Sequence, residues 1–548
     1  MGGIWTVARE TFKQCLRTKV AIVFAVLLVA CLAALPSAME GDGTLAGRIR
    51  TFLDYAKSAT CVLLSLVVVL LSIGVVTGDV ERRYAFVVFS KPVARWQYVL
   101  GRWLGVLLLG AVLLAGAGGA IYGLARYLRG RDDLVLRPED RRAVETEVFV
   151  AREQVFPEPR DVAAVVAKRV RLHRENGTWD TLVQTYADKY ELNLIQAAER
   201  VVADMRKDEA TRAQSVPAGK SQTWTFRNVH PQGEAITVQG TVRAVSREAG
   251  AVTVSVPAEL TGRLVIMGPV EVAGVTGRVA AIWKTRFRAV FHLEDMRSER
   301  LRTLKPGAGV RVVLRPTVQV SYKLSPARRD LVEPLRAAWA VRNPQTGFVY
   351  QIPPIEAPQN TRSTLVVPGE AIDANGTLRL RYVNYSPTSV TALDDDVSVY
   401  YAVGSFEANF AKAFLLVLMG LAFLAALGVF AGCWLSFPVA CLLCLVMLGV
   451  GAGLHFLTEA VEMGLQYGSE PGLKWTYHVA RYMLVGVKVV LPDLSATLGT
   501  EFLVEGVAVP GGYLGEAALL TVVLRAAILL ALACWIFTRK ELARVQVS

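Results

Sequence analysis

Between Asp79 and Gly105 the chain reads DVERRYAFVVFSKPVARWQYVLGRWLG. A charged, proline-containing segment stands here between two apolar runs, each long enough to cross a bilayer, so its reading decides the fold. A helix needs about 20 apolar residues to span the hydrocarbon core. Six runs qualify, near residues 20–37, 59–77, 103–125, 411–431, 437–457 and 517–537. The whole chain of 548 residues is 53% hydrophobic with mean hydropathy +0.38, yet it carries 60 Lys+Arg and 47 Asp+Glu. That mixture predicts a membrane protein with a sizeable aqueous domain.

Orientation follows from the basic residues close to the spans. Arg9, Lys13, Arg17 and Lys19 precede the first run; Arg82, Arg83, Lys91, Arg95 and Arg102 lie between the second and third; Arg539, Lys540 and Arg544 follow the last. These segments are expected on the cytoplasmic side. The connection 38–58 balances Arg48, Arg50 and Lys57 against Glu40, Asp42 and Asp54, as suits the opposite face. Six spans then place both termini inside and residues 128–408 and 458–516 outside. The first run is long for a secretory signal and lacks a small-x-small cleavage site, which favours a retained span. The net charge of +13 lies largely beside spans, so topology and attraction to anionic membrane lipid account for it without nucleic acid.

All seven cysteines lie in or beside membrane runs, so the outer segment needs a conventional core rather than disulfides. Cys441 and Cys444 form a CxxC inside an apolar run with no second pair, as packing residues do. At the N-terminus Ile4, Trp5, Ala8, Phe12, Cys15 and Leu16 recur at helical spacing, with Arg9, Glu10, Lys13 and Arg17 opposite. This pattern predicts an interfacial amphipathic helix within residues 1–19.

The opening segment carries a resemblance. Asp79-Val80-Glu81-Arg82, then Ser90-Lys91-Pro92-Val93-Ala94-Arg95, then Leu100-Gly101-Arg102 resembles the signature loop of ABC-2 type transporter permeases. In that family a Glu-x-Glu-Arg-Gly-Thr start precedes an apolar stretch, Lys-Pro-Val-Ser-Arg and Leu-Gly-Lys; here Arg83-Tyr84 replaces Gly-Thr. Leu491-Pro492-Asp493-Leu494, Phe502 to Gly506, Val509-Pro510, a final span and Phe537-Thr538-Arg539-Lys540-Glu541-Leu542 are similar to the closing region of the same permeases. The likeness covers roughly half of the chain, through short pieces in the family order.

The resemblance implies a membrane-spanning permease subunit, multi-pass in a bacterial cytoplasmic membrane and mostly associated with export. It implies a separate cytoplasmic ABC ATPase that holds ATP and Mg, and a second permease subunit, the same chain or a sister. The loop 79–102 would grip the ATPase through Asp79, Glu81, Arg82, Arg83, Ser90, Lys91, Pro92, Val93, Arg95 and Gly101. It implies no catalysis and no cofactor on this chain. A basic loop with a helix-breaking proline is the plainer reading of the same residues. The only near miss to a phosphate loop is Gly219-Lys220-Ser221, where Gln214 stands at the required upstream glycine.

The outer segment divides by periodicity. Residues 138–212 read as helices, with Asp161 capping a run through Val162, Val165, Val166 and Val170, and a stripe of Leu194, Ala198, Val201, Val202 and Met205. Residues 222–402 read as strands. Ile236, Val238, Gly240, Val242 and Ala244 alternate with polar residues, as do Val318, Val320, Tyr322 and Leu324. Asn375-Gly376 is a turn before Leu378, Leu380 and Tyr382. A β-sandwich with a helical subdomain is expected, and a barrel also suits this many short strands.

His173, His230 and His292 lack a paired metal spacing, and Asp394-Asp395-Asp396 lacks that of a calcium loop. Tyr482 to Val490 is too short to cross and predicts a re-entrant or outer-leaflet helix. His455, Glu459, Glu462, Pro492 and Asp493 are candidate outer-gate residues.

The expected fold is thus an α-helical membrane protein with six transmembrane helices and a large extracytoplasmic α+β insertion. Its parts are an amphipathic helix (1–19), spans one to three (20–127), the insertion (128–408) and spans four to six with a re-entrant region (409–548). A structural or sensory membrane protein whose outer β-domain binds a ligand or envelope partner is the second reading.

Overall fold

The computed structural model describes residues 2–38, 41, 43–81, 94–131, 143–159, 161–230, 236–246, 251–256, 269–272, 275–283, 288–293, 305–314, 317–326, 334–467, 474–495 and 500–539. Two compact units emerge: Met1–Ala151 with Gly404–Ser548, and Arg152–Val403.

The first unit is helical. It contains α1 (Gly2–Leu16), α2 (Lys19–Ala38), α3 (Leu45–Glu81) and α4 (Arg95–Arg129) before the second unit. Six helices long and apolar enough to cross a membrane occur among the described residues: α2 to α4 and three after the second unit, at Phe406–Trp434, Phe437–Gly464 and Gly511–Arg539. The spans are longer than the apolar runs. At ~1.5 Å per residue the 37-residue α3 reaches about 55 Å. Most of the expected connection 38–58 is therefore helix. Two of the charges there have distant partners: the Arg48 guanidinium donates to the Pro36 carbonyl at 3.1 Å, and Arg50 pairs with Glu147 at 2.6 Å.

The second unit starts with a correction. Residues 150–155, expected within a helical region, form a strand in which Ala151 and Arg152 are buried. Arg152 donates to Gln319 Oε1 at 2.7 Å and stacks 4.7 Å from the Tyr400 ring centroid. An arginine with such partners belongs to a strand core, although in sequence it breaks the alternation. The helices α5 (Val162–Glu175), α6 (Trp179–Tyr190) and α7 (Leu194–Gln214) follow. Asp161 caps α5 by accepting from Ala164 N at 2.8 Å. The α7 stripe turns inward on Ala197 and Val201, leaving Leu194 exposed.

The strands are β1 (Val150–Val155), β2 (Ser215–Val216), β3 (Ser221–Phe226), β4 (Ile236–Ser246), β5 (Ala251–Ser255), β6 (Pro269–Val272), β7 (Val275–Trp283), β8 (Arg288–Leu293) and β9 (Gly309–Leu314). They continue with β10 (Thr317–Lys323), β11 (Ser325–Pro326), β12 (Leu335–Arg342), β13 (Val349–Ala357), β14 (Arg362–Pro368), β15 (Leu378–Asn384), β16 (Val390–Thr391) and β17 (Val397–Ser405).

Two four-stranded sheets, β1-β17-β10-β14 and β13-β12-β15-β3, share one hydrophobic core. Tyr322 meets Trp339 across it at 4.6 Å between ring centroids, and Tyr382 lies 5.0 Å from Trp339. Leu378, Leu380 and Tyr382 point inward while Arg379 and Arg381 face out. The expected sandwich and the alternative barrel are both present, because β4-β5-β8-β7-β6-β9 closes into a separate barrel inserted between β3 and β10. In β4 the register shifts between Val242 and Ala244, so Val242 is buried and Ala244, expected inward, is exposed.

The first unit resumes with α8 (Phe406–Trp434), α9 (Phe437–Tyr467), α10 (Lys474–Val490), α11 (Thr500–Val504) and α12 (Gly511–Arg539), which includes a π-helical stretch at Ala518–Ala526. The short connection expected between the fourth and fifth apolar runs joins α8 to α9. The 17-residue α10 covers the stretch expected to be too short to span.

Candidate functional site

The expected coupling loop is two helix ends with a segment between them. Residues Arg82, Arg83, Ser90, Lys91, Pro92 and Val93 lie outside the described residues. Asp79 and Glu81 belong to the last turn of α3, and Arg95 and Gly101 to the start of α4. Glu81 and Arg95 are exposed; Asp79 and Gly101 are buried.

Asp79 is the centre of the arrangement. It is paired with the Arg102 guanidinium and accepts a 2.5 Å hydrogen bond from the Tyr98 hydroxyl. Arg102 Nη1 donates to Thr11 Oγ1 at 3.0 Å and Gln14 Oε1 at 2.9 Å, and its guanidinium carbon lies 5.2 Å from the Tyr98 ring centroid. Two opposite charges removed from water need such additional hydrogen bonds, because the attraction alone does not offset their desolvation. The network therefore joins α1, the end of α3 and the start of α4.

Backbone packing brings α1 within reach. Gly101 and Gly105 lie one turn apart on the α4 face that meets α1. A Cβ on Gly101 would stand 2.6 Å from Val7 Cβ, and one on Gly105 would stand 2.5 Å from Thr11 Cβ and 2.6 Å from the Ala8 carbonyl. Only glycine permits this approach, as in the small-residue seams of membrane helices. α1 consequently buries Ala8, Thr11 and Cys15 against α4 and leaves Trp5 and Leu16, expected on its apolar face, 59% and 53% exposed. Burial pushes the Cys15 thiol up to about 12, with the Arg102 charge opposing.

Further bonds spread the connection. Arg95 Nη1 donates to the carbonyls of Phe537 (3.0 Å) and Thr538 (2.7 Å) at the end of α12, where a cation also suits the helix dipole. Trp103 Nε1 donates to the Ala422 carbonyl of α8 at 2.9 Å. The start of α4 is thus bonded to α1, α8 and α12, and the end of α3 is tied to it through Asp79. Sequence reasoning placed Arg102 beside a span but missed its pairing with Asp79; the Gly-x-x-x-Gly spacing at 101 and 105 was the available signal.

The candidate outer-gate residues divide. His455, Glu459 and Glu462 occupy an exposed stripe of α9. Pro492 is buried, and Asp493 accepts from the Ser495 hydroxyl at 2.5 Å. Gly451 of α9 lets Leu494 and the Pro492 carbonyl approach, at 2.8 Å and 3.5 Å from where its Cβ would be. A largely apolar cavity of about 270 Å³ lies among α3, α8 and α9, with Ser65 and Gly449 on its wall and Leu494 closing it.

Other candidates have structural roles. Gly219-Lys220-Ser221 is a turn into strand β3, with Gly219 at φ +71°, rather than the helix N-terminus that a phosphate loop requires. Asp394 accepts from Trp224 Nε1 at 3.1 Å, Asp396 accepts from Leu393 N, and His173 bonds Thr178 at 2.8 Å. No cluster of three metal-ligating side chains occurs among the described residues.

Residues 5–136 match the model of a family described as ABC-2 family transporter protein. The matched stretch takes in nearly all of α1 together with α2, α3 and α4, and therefore the whole Asp79–Arg102 network. No curated protein matches the chain. The six apolar helices support a multi-pass membrane protein, and its residues 5–136 are similar to ABC-2 family transporter proteins.

Proposed function

We propose, starting from an ABC-2 type permease, that a separate cytoplasmic ATPase drives this subunit in export through residues 79–102. ATP and Mg belong to that partner. The tying together of the two helix ends that flank residues 82–93, the end of α3 and the start of α4, carries the proposal. A displacement applied to the segment is passed to α3 and α4 together by the Asp79–Arg102 pair, to α1 by Thr11 and Gln14, and to α12 by Arg95. Asp79 and Gly101 then act by positioning, while Glu81, Arg82, Arg83, Ser90, Lys91, Pro92 and Val93 meet the ATPase.

In this reading the termini are cytoplasmic in a bacterial inner membrane and the unit 152–403 faces outward, where it meets substrate or an envelope partner. A second permease subunit, identical or a sister, completes the path, which opens alternately at either face. His455, Glu459, Glu462, Pro492 and Asp493 lie toward its outer end. Affinity purification from native membranes tests this function. The wild-type chain should retain an ATP-binding protein, and alanine at Glu81, Arg82 and Pro92 together should release it. Purification without such a protein, or unchanged retention by the triple variant, contradicts it.

A further inference from the structure

The α1–α4 junction contains a second feature, which shares Arg102 and Gln14 with the coupling network. A polar cavity of about 450 Å³ opens between α1, the α1–α2 turn and α4, lined by Glu10, Lys13, Gln14, Arg17, Thr18 and Arg102. With Arg102 matched by Asp79, Lys13 and Arg17 face the single carboxylate of Glu10 there, and the Lys13–Glu10 pair, at 3.2 Å, is well exposed. The cavity therefore has a positive balance.

Arg102 distinguishes this cavity from an ordinary basic surface. It is 8% exposed and lines the cavity, with its Nη1 and Nη2 held in place by Thr11, Gln14 and Asp79. Gln14 turns its amide oxygen to Arg102, which leaves its NH2 as a donor. The N-terminal end of α2, capped by Thr18 through Ala21 N at 3.5 Å, adds the positive end of a 20-residue helix. Guanidinium, ammonium, amide and helix end together suit a phosphate group.

The surroundings distinguish the source of that phosphate. Immediately beyond the cavity, Leu16 at the end of α1 and Val20, Ile22 and Val23 in the first turns of α2 are 53%, 40%, 54% and 61% exposed. Apolar surface contiguous with a phosphate site suits a headgroup whose acyl chains lie along the first span. A free anion makes no use of it.

We propose that the cavity binds the phosphate of an anionic glycerophospholipid, fixing α1, and with it the Asp79–Arg102 network, to the inner leaflet. This rests on the reading above that α1 lies at the cytoplasmic membrane surface. The full chain in detergent, titrated with phosphatidylglycerol or phosphatidylcholine and followed by native mass spectrometry, should prefer phosphatidylglycerol. Lys13→Ala and Arg17→Ala should each weaken that binding about fivefold, the effect of one cation at an anionic surface. Equal binding of the two lipids, unchanged binding by both variants, or displacement by inorganic phosphate at equal concentration overturns the proposal.

Slow alkylation of Cys15 in each variant checks that α1 remains docked. Quenching of Trp5 by brominated lipid, taken as the difference from Trp5→Phe, separates the two layers. Quenching without lipid preference refutes the pocket but leaves α1 at the membrane. Absence of quenching refutes the membrane placement itself.

Discussion

Replacing Arg102 with Met tests the buried network most sharply. Asp79 and Arg102 side chains are 6% and 10% exposed, so neither charge is relieved by water. In Arg102→Met the Asp79 carboxylate keeps the Tyr98 hydroxyl but loses its counter-ion, and Thr11 and Gln14 lose their donor. Breaking a buried pair in this way costs about 3–5 kcal/mol. At roughly 2–4 °C per kcal/mol for a large domain, the thermal midpoint in detergent should fall by about 6–20 °C. The double variant Asp79→Leu with Arg102→Met removes both charges and should recover most of the loss, since what then lacks a partner is neutral. Unfolding followed by size-exclusion of heated samples gives the full double-mutant cycle. A drop below about 2 °C in Arg102→Met, or a double variant as unstable as the sum of its singles, would refute the argument.

Further outcomes follow from the same packing. Gly105→Val places a branched side chain where Thr11 and Ala8 already stand; overpacking of this type costs about 1–3 kcal/mol, and α1 should detach. The readout is Cys15 in a background without the other cysteines. With its thiol pushed up to about 12, only about one part in ten thousand is thiolate at pH 8, so maleimide labelling should be slow in the wild type and fast in Gly105→Val. As pH rises toward 12, labelling of the docked wild type should accelerate later than in the detached variant. In the sandwich, Trp339→Ala empties the centre of the aromatic cluster and should cost about 3–5 kcal/mol, measurable by near-ultraviolet circular dichroism of the full chain during thermal unfolding.

The spans were legible because an uninterrupted apolar run of that length suits little besides a bilayer, and the sandwich strands because Leu378, Leu380 and Tyr382 alternate with arginines. Legibility failed where partners distant in sequence change what a charge means. Arg48, Arg50 and Lys57 read as a polar connection but extend α3, because Pro36, Glu147 and packing within the unit accept them. Arg152 conceals β1 in the same way. Asp79 and Arg102 read as two charges of a solvated loop. Only the helix at residues 2–16, drawn onto Gly101 and Gly105, brings Thr11 and Gln14 to complete their burial. The bulge after Val242 leaves no trace in a binary pattern.

The central claim, that an ATPase drives this chain through segment 82–93, is tested most directly by photocrosslinking in native membranes. A crosslinking residue at Phe89 should capture an ATP-binding protein, with the yield changing between nucleotide-free and ATP-loaded states, and one at the exposed Trp475 of α10 should not. Absence of any such adduct at Phe89, or an equal adduct at Trp475, would contradict the account.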